Sequence, residues 1–411
     1  MDFIIEIYEL LDFIIINNKG QNLDMLIDLR NKINERQSPR INFREIYLKD
    51  YLSNIYNKTD DSLVKERIVA LEKCLQYFQQ KKIEQEESKK IFKTDNIESC
   101  FLGLAIGDAL GVPVEFKKRE YLKINPVKDY IGYGCWNQLP GTWSDDSSLT
   151  FCLTESLLNR CNLLEISKKF IKWYKEGYWG ARNEVFDVGN TTRDAIGELI
   201  KGTNPLYSGG FDEYSNGNGS LMRIIPLAFY GAEIAKPNSR FVLVKEVSSI
   251  THAHLLSVLC CYYYVTIAFL LYSGKNIDEA FIETQNDFSS FVADKDYNPQ
   301  VLKFFDRILS STFKNIPEVE INSSGFVIDS LEASIWCLLN TTSFKECVLK
   351  AVNLGGDTDT TGCIAGGLAG LYYGMEGIPE KWIKELARVD DITKLSRDFV
   401  NRIVLSDTHI L

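Results

Sequence analysis

Two acidic clusters carry most of the chemistry legible in this chain. The first, GTWSDDSSLTFCLTESLL, places Ser144, Asp145 and Asp146 immediately before an apolar helical pattern. The second, NLGGDTDTTGCIAGGLAGLYYG, places Asp357, Asp359 and Thr360 at the start of another. Adjacent carboxylates repel unless a cation lies between them, and Ser144 and Thr360 add hydroxyl oxygens of the kind a hard divalent ion accepts. Asp and Ser also cap helices, but a cap needs one such residue, so the doubled sets favour a metal site. Asp357 and Asp359, two apart, face one pocket if the loop is extended there. The chain has only three histidines. That is too few for a His-rich zinc or copper site and points to magnesium, manganese or calcium held by oxygen.

Four further segments hold candidate site residues. FLGLAIGDALGVPVEF (101–116) is an apolar helix interrupted by Gly107, Asp108 and Gly111. It ends at Glu115, which is either an acid over the site or a solvated residue after a turn. FDVGNTTRDAI (186–196) sets Asp187 ahead of a turn that opens a helix, a position that by itself reads as a cap. SNGNGSLMRIIPLAFYG (215–231) brackets Asn218 with Gly217 and Gly219, and Ser220 is predicted to start a helix whose N–H groups and positive dipole end can cradle a phosphate. It is not a Walker or dinucleotide pattern. THAH places His252 and His254 just before the most apolar stretch of the chain.

The elements that must position these residues are helical. Apolar periodicity recurs at 99–111, 147–159, 163–176, 191–201, 220–235, 240–250, 255–273, 277–291, 298–311, 328–340, 343–353, 361–373 and 379–387, and alternating strand-like runs are nearly absent. Residues 96–411 are therefore expected to form one all-α domain with its polar motifs at loops and helix ends. Residues 1–95 have a different texture, with one glycine and one proline. Ile4, Ile5, Tyr8, Leu11 and Ile15 share one helix face and Leu63, Ile68, Leu71, Leu75 and Phe78 another, which predicts a separate module of three or four helices. The run KKIEQEESKK (81–90) reads as its solvated tail or a linker.

Composition narrows the class. The net charge is −10 and no Lys/Arg-rich block is present, which argues against a general nucleic-acid binder. Residues 1–95 carry 16 basic against 17 acidic side chains, so nearly all the acidic surplus belongs to the domain with the acidic clusters. Leu255 to Tyr272 has eighteen residues without a charge, long enough to span a bilayer. Its four tyrosines and the lack of a basic flank favour a buried central helix instead, so no membrane partner is expected. Ten cysteines without a CxxC pair read as free thiols, and the N-terminus shows no basic stretch ahead of its apolar run. Both features predict a cytoplasmic protein.

In this order, GDALG-P-EF, SDDS, D-V-G-N-T-T, GNGSLMR-P, TH-H and GGDTDT-G resemble the ADP-ribosylglycohydrolase family from about residue 98 to about 390. The resemblance implies an all-α fold with a binuclear magnesium or manganese centre, two Mg2+ or Mn2+, that removes ADP-ribose from a modified protein. It implies Ser144, Asp145 and Asp146 as one half of the metal shell and Asp357, Asp359 and Thr360 as the other. Glu115 and Asp187 match the catalytic acids, and Gly217, Asn218, Gly219, Ser220, His252 and His254 the ADP-ribose pocket. Two positions depart from the pattern: Ser147 stands where threonine is usual and Leu255 where proline is. Residues 1–95 are extra to ordinary members. The arrangement is similar to that of immunity proteins which undo, and dock onto, ADP-ribosyltransferase toxins. The expected substrate is ADP-ribosylarginine; hydrolysis at serine or a nucleic-acid base without toxin binding, and a binding-only inhibitor, are the alternatives.

Overall fold

The computed structural model describes residues 94–407, together with residues 14, 52, 56–57, 62, 64–66, 68–71 and 73 of the preceding stretch. By internal contacts the chain divides into Met1–Ile91 with His409–Leu411, and Phe92–Thr408. In the first unit Ile68 and Leu71 are helical and buried. Ile4, Ile5, Tyr8, Leu11, Ile15, Leu63, Leu75, Phe78 and the 81–90 charged run lie outside the described residues.

The larger unit is all-α, with no strand among the described residues. Its eleven helices of ten residues or more are α1 (Asn96–Gly111), α2 (Asp145–Leu157), α3 (Leu163–Glu176), α4 (Asn190–Ile200), α5 (Pro237–Ser249), α6 (Leu255–Tyr272), α7 (Ile277–Ala293), α8 (Val327–Leu339), α9 (Phe344–Asn353), α10 (Thr358–Tyr373) and α11 (Val389–Asp407). Shorter α and 3-10 turns connect them. Helix α3 shows the usual surface pattern: Asn162 caps its N-terminus, Ile166, Phe170 and Trp173 point inward, and Gly177 ends it at φ 67°. Helices α1 and α6 are apolar all round and form the centre, so the uncharged stretch of α6 is core.

The α1–α10 contact sets the position of the site. Gly103 and Gly107 of α1 face Gly366 and Gly362 of α10, and a Cβ at Gly107 would overlap the Gly362 carbonyl. Ser99 Oγ donates to the Gly370 carbonyl at 2.9 Å, and Thr358 Oγ1 to the Gly111 carbonyl at 2.8 Å. Two backbones in direct contact along this seam bring Asp108 and Asp359 to the same level of the bundle.

Three sequence expectations need correction. Residues 220–235 are not an α-helix: turns lead into 3-10 segments Ile225–Phe229 and Ala232–Ala235. Pro226, which lacks an N–H, sits at the start of the first of these. The 298–311 pattern gives only Pro299–Leu302 and a 3-10 turn before irregular backbone, whose Ile308 and Ser310 carbonyls accept from Gln285 Nε2 at 2.8 and 3.2 Å. Finally, α11 was not anticipated, although Ile392, Leu395, Phe399 and Ile403 at helical spacing form its buried face.

Candidate metal centre and sugar pocket

The two acidic clusters converge. Ser144 is the N-cap of α2, accepting from the Asp146 N–H at 3.3 Å, and Asp145 and Asp146 fill the first turn. Gly355 and Gly356, at φ 78° and 75°, turn the chain into α10. Asp357 is the residue before α10 but makes no side-chain cap; its Oδ2 instead accepts from Asn218 Nδ2 at 2.8 Å. The loop is not extended through Asp359, which lies in the first turn of α10 and points inward from there. Capping therefore accounts for Ser144 alone.

Asp146 is the hub. Its Oδ2 accepts from Ser144 Oγ at 2.8 Å and Thr360 Oγ1 at 3.3 Å, linking the clusters across 214 residues of sequence. Carboxylate oxygens of Asp108, Asp146 and Asp359 lie within 4.8 Å of one another, and so do those of Glu115, Asp187 and Asp359, which makes Asp359 common to both groups. Asp108 and Asp359 are fully buried, and Glu115, Asp145 and Asp146 are at most 5% exposed.

The electrostatics follow from this crowding. Burial first, and then other carboxylates, push Asp145, Asp146 and Asp359 well above the usual range. Burial and then the Asp187 charge push Glu115 up to about 9; burial raises Asp187 to about 6. A carboxylate oxygen of Glu115 and one of Asp187 lie within 4.8 Å of each other. Buried Asp146 Oδ1 and Asp359 Oδ2 have no hydrogen-bond partner. Buried acceptors without donors, set among mutually repelling carboxylates, suit a hard divalent cation. Of the predicted ligands, Asp146 and Asp359 belong to these groups and Ser144 and Thr360 bond Asp146, whereas Asp145 and Asp357 belong to neither group.

Asp108 was not singled out as a site residue in the sequence. Its Oδ1 accepts from the Ser144 N–H at 2.8 Å, and its Oδ2 accepts from Ser147 N–H and Oγ at 3.1 and 2.6 Å. It thus pins the loop that presents the first cluster, and Ser147 keeps the hydroxyl its threonine counterpart would supply. The signal available was a lone carboxylate inside an apolar helix, which must be satisfied somewhere.

The glycine turn meets the histidines as follows. His252 is buried, with Nδ1 2.8 Å from Thr251 Oγ1, and its ring fills the space a Cβ on Gly219 would need. Burial and then Arg223 lower its pKa to about 3, so the imidazole is neutral. Arg223, also buried, donates to the Gly219 carbonyl and, at 2.8 Å, to Thr251 Oγ1, bracing the turn from behind. Asn218 N–H is committed to the Gly325 carbonyl at 3.1 Å, and Gly217 pairs with Phe326. Ser220 does not begin a helix; its hydroxyl turns into the core, 2.9 Å from Ser248 Oγ. His254 caps α6, Nδ1 accepting from the Leu256 N–H at 3.2 Å, so the turn forms with Leu255 in place of proline.

An all-α domain with a buried multi-carboxylate cluster beside a glycine turn defines a class, and comparison with known proteins gives it a name. The ADP-ribosylglycohydrolase family profile matches residues 89–408, and the chain belongs to that family. It is 31% identical over 307 residues to the ADP-ribosylarginine hydrolase Tri1 of Serratia proteamaculans, covering 74% of this chain and 78% of that protein. It is likewise 31% identical over 297 residues to the ADP-ribosyl-[dinitrogen reductase] glycohydrolase of Rhodospirillum rubrum, covering 71% and 90%. A solved structure of an ADP-ribosylglycohydrolase-related protein complex aligns with a TM-score of 0.63 at 29% identity, over 75% of this chain and 98% of that one.

Proposed function

We propose that this chain is a cytoplasmic ADP-ribosylarginine hydrolase that protects its cell as an immunity protein, reversing an ADP-ribosyltransferase toxin and docking onto it through residues 1–95. The observation that carries the hydrolase reading is the convergence of the two acidic clusters on the unpartnered oxygens of Asp146 and Asp359, beside the Glu115–Asp187 pair. The likeness to Tri1 supports arginine as the acceptor.

Ser144, Asp145, Asp146, Asp357, Asp359 and Thr360 would hold two Mg2+ or Mn2+, which supply Lewis acidity toward the ribose hydroxyls and the attacking water. Cleavage of a glycosidic bond develops positive charge on the sugar, and the surrounding carboxylates stabilise it. The departing guanidine must gain a proton and the incoming water must lose one. Glu115 and Asp187, with carboxylate oxygens within 4.8 Å of each other, carry both transfers in this reading. The Arg223-braced turn at Gly217–Gly219 orients the ADP-ribose, with Asn218 holding Asp357 beside it.

Incubating arginine-ADP-ribosylated protein with the chain, with and without EDTA, tests this directly. Release of ADP-ribose that EDTA abolishes is expected; no release, or release indifferent to EDTA, refutes it. Co-purification with a co-encoded transferase, lost on deletion of residues 1–90, tests the docking role.

A further inference from the structure

Glu115 is held by a loop that belongs to neither acidic cluster. The Trp136 indole N–H donates to Glu115 Oε2, and Cys135 Sγ donates to the Glu115 carbonyl at 2.8 Å. The preceding Gly134 lies so close that a Cβ there would overlap the Pro113 carbonyl. Residues 134–136 are therefore docked on the segment that ends at Glu115. The half-buried indole is itself bracketed, by Phe116 with ring centroids 6.4 Å apart and by Phe186 at 5.8 Å. Phe186 precedes Asp187, the other member of the acid pair.

The backbone around this contact is strained. Phe116, Tyr133, Asn137 and Asp187 all have positive φ, between 53° and 63°. Each is a non-glycine residue, and each lies within three positions of one of the bonded or bracketing residues. Unfavourable conformations of this kind persist where surrounding contacts over-determine them, and they concentrate at functional sites.

We propose that Trp136 is a positioning residue for the hydrolysis: its N–H fixes the Glu115 carboxyl toward Asp187, and Phe116 and Phe186 fix the indole. This rests on the hydrolase reading above. A buried carboxyl free to rotate would spend part of its time turned away from Asp187; a single directed donor on Oε2 removes that freedom. The ring packing serves the same end, because an indole that tilts loses the bond.

The test replaces the N–H and keeps the ring. In Trp136→Phe, and in a variant carrying the benzothiophene analogue of tryptophan at position 136, kcat for ADP-ribose release from arginine-modified protein should fall about three- to tenfold, the range for one hydrogen bond to a neutral group. KM should stay at its wild-type value. In a Glu115→Ala background the same replacement should have no further effect on kcat. Unaltered kcat in both variants, or an equal loss without Glu115, overturns the positioning role. Absence of release by the wild-type chain would instead overturn the hydrolase reading on which it rests.

Discussion

Replacing Glu115 with glutamine should make the metal-free protein more stable while impairing its chemistry. Glu115 is 4% exposed and pushed up to about 9, from an ordinary value of 4.5, by burial and then by Asp187. Below pH 4.5 the carboxyl is protonated in both folded and unfolded chains and contributes no pH dependence. Between 4.5 and about 9 the folded chain keeps a proton that the unfolded chain has released, so stability falls as pH rises, by about 1.4 kcal/mol per pH unit. At pH 7 the accumulated loss is about 3 kcal/mol, or roughly 5 °C in thermal midpoint for a domain of this size. Glutamine has the shape of the protonated acid: its carbonyl accepts from Trp136, its amide donates to Asp187, and it does not titrate. Thermal unfolding of wild type and Glu115→Gln in EDTA at pH 5, 7 and 8.5 should show a stabilisation of the variant that grows with pH. In saturating Mg2+ the gap should narrow, because cations relieve the same repulsion in the wild type. A variant less stable than wild type in EDTA at pH 7, or a difference that does not change with pH, would refute the electrostatic account.

Asp146→Ala should lower turnover by more than about a hundredfold and remove the rise in thermal midpoint that Mg2+ gives the wild type, both read in parallel by product release and melting. Asp108→Asn touches no proposed substrate atom but loses an acceptor for Ser147, so calorimetry should show divalent-cation affinity weakened by about ten- to a hundredfold. Gly107→Ala forces a methyl into the Gly362 carbonyl and should destabilise the fold by about 3 kcal/mol or more by urea titration, with activity lost alongside.

Much of the fold was legible because apolar periodicity reports burial whatever the topology. Ile166, Phe170 and Trp173 announce α3 without knowledge of what they pack on. The periodicity misled where apolar spacing also suits short turns: Pro226 kept 220–235 in such turns, and after Asn298 the buried Val301, Phe305 and Ile308 are reached by a short helix, a 3-10 segment and a turn. The acidic clusters were conspicuous because doubled carboxylates at a helix start exceed what a cap needs. Asp108 and Trp136 were not, for a different reason. Each acts through a partner elsewhere in the chain, Ser147 thirty-nine residues on and Glu115 twenty-one residues back, and no local spacing encodes that meeting. The histidines show the converse case. A sequence pairs His252 with His254, whereas the fold gives one to the glycine turn and the other to the end of α6.

The glycine seam between α1 and α10 has a consequence for how this site varies. Asp108 and Asp359 ride on helices whose backbones already touch, so their separation is set by main chain alone, before any ion or sugar arrives. Neither helix can draw closer, and neither can move apart without opening the centre of the bundle. Gly103, Gly107, Gly362 and Gly366 thus work as a ruler for the chemistry while touching none of it. A survey of inactive variants should find substitutions at these four positions beside those at the carboxylates, even though a methyl group there changes no charge and removes no donor.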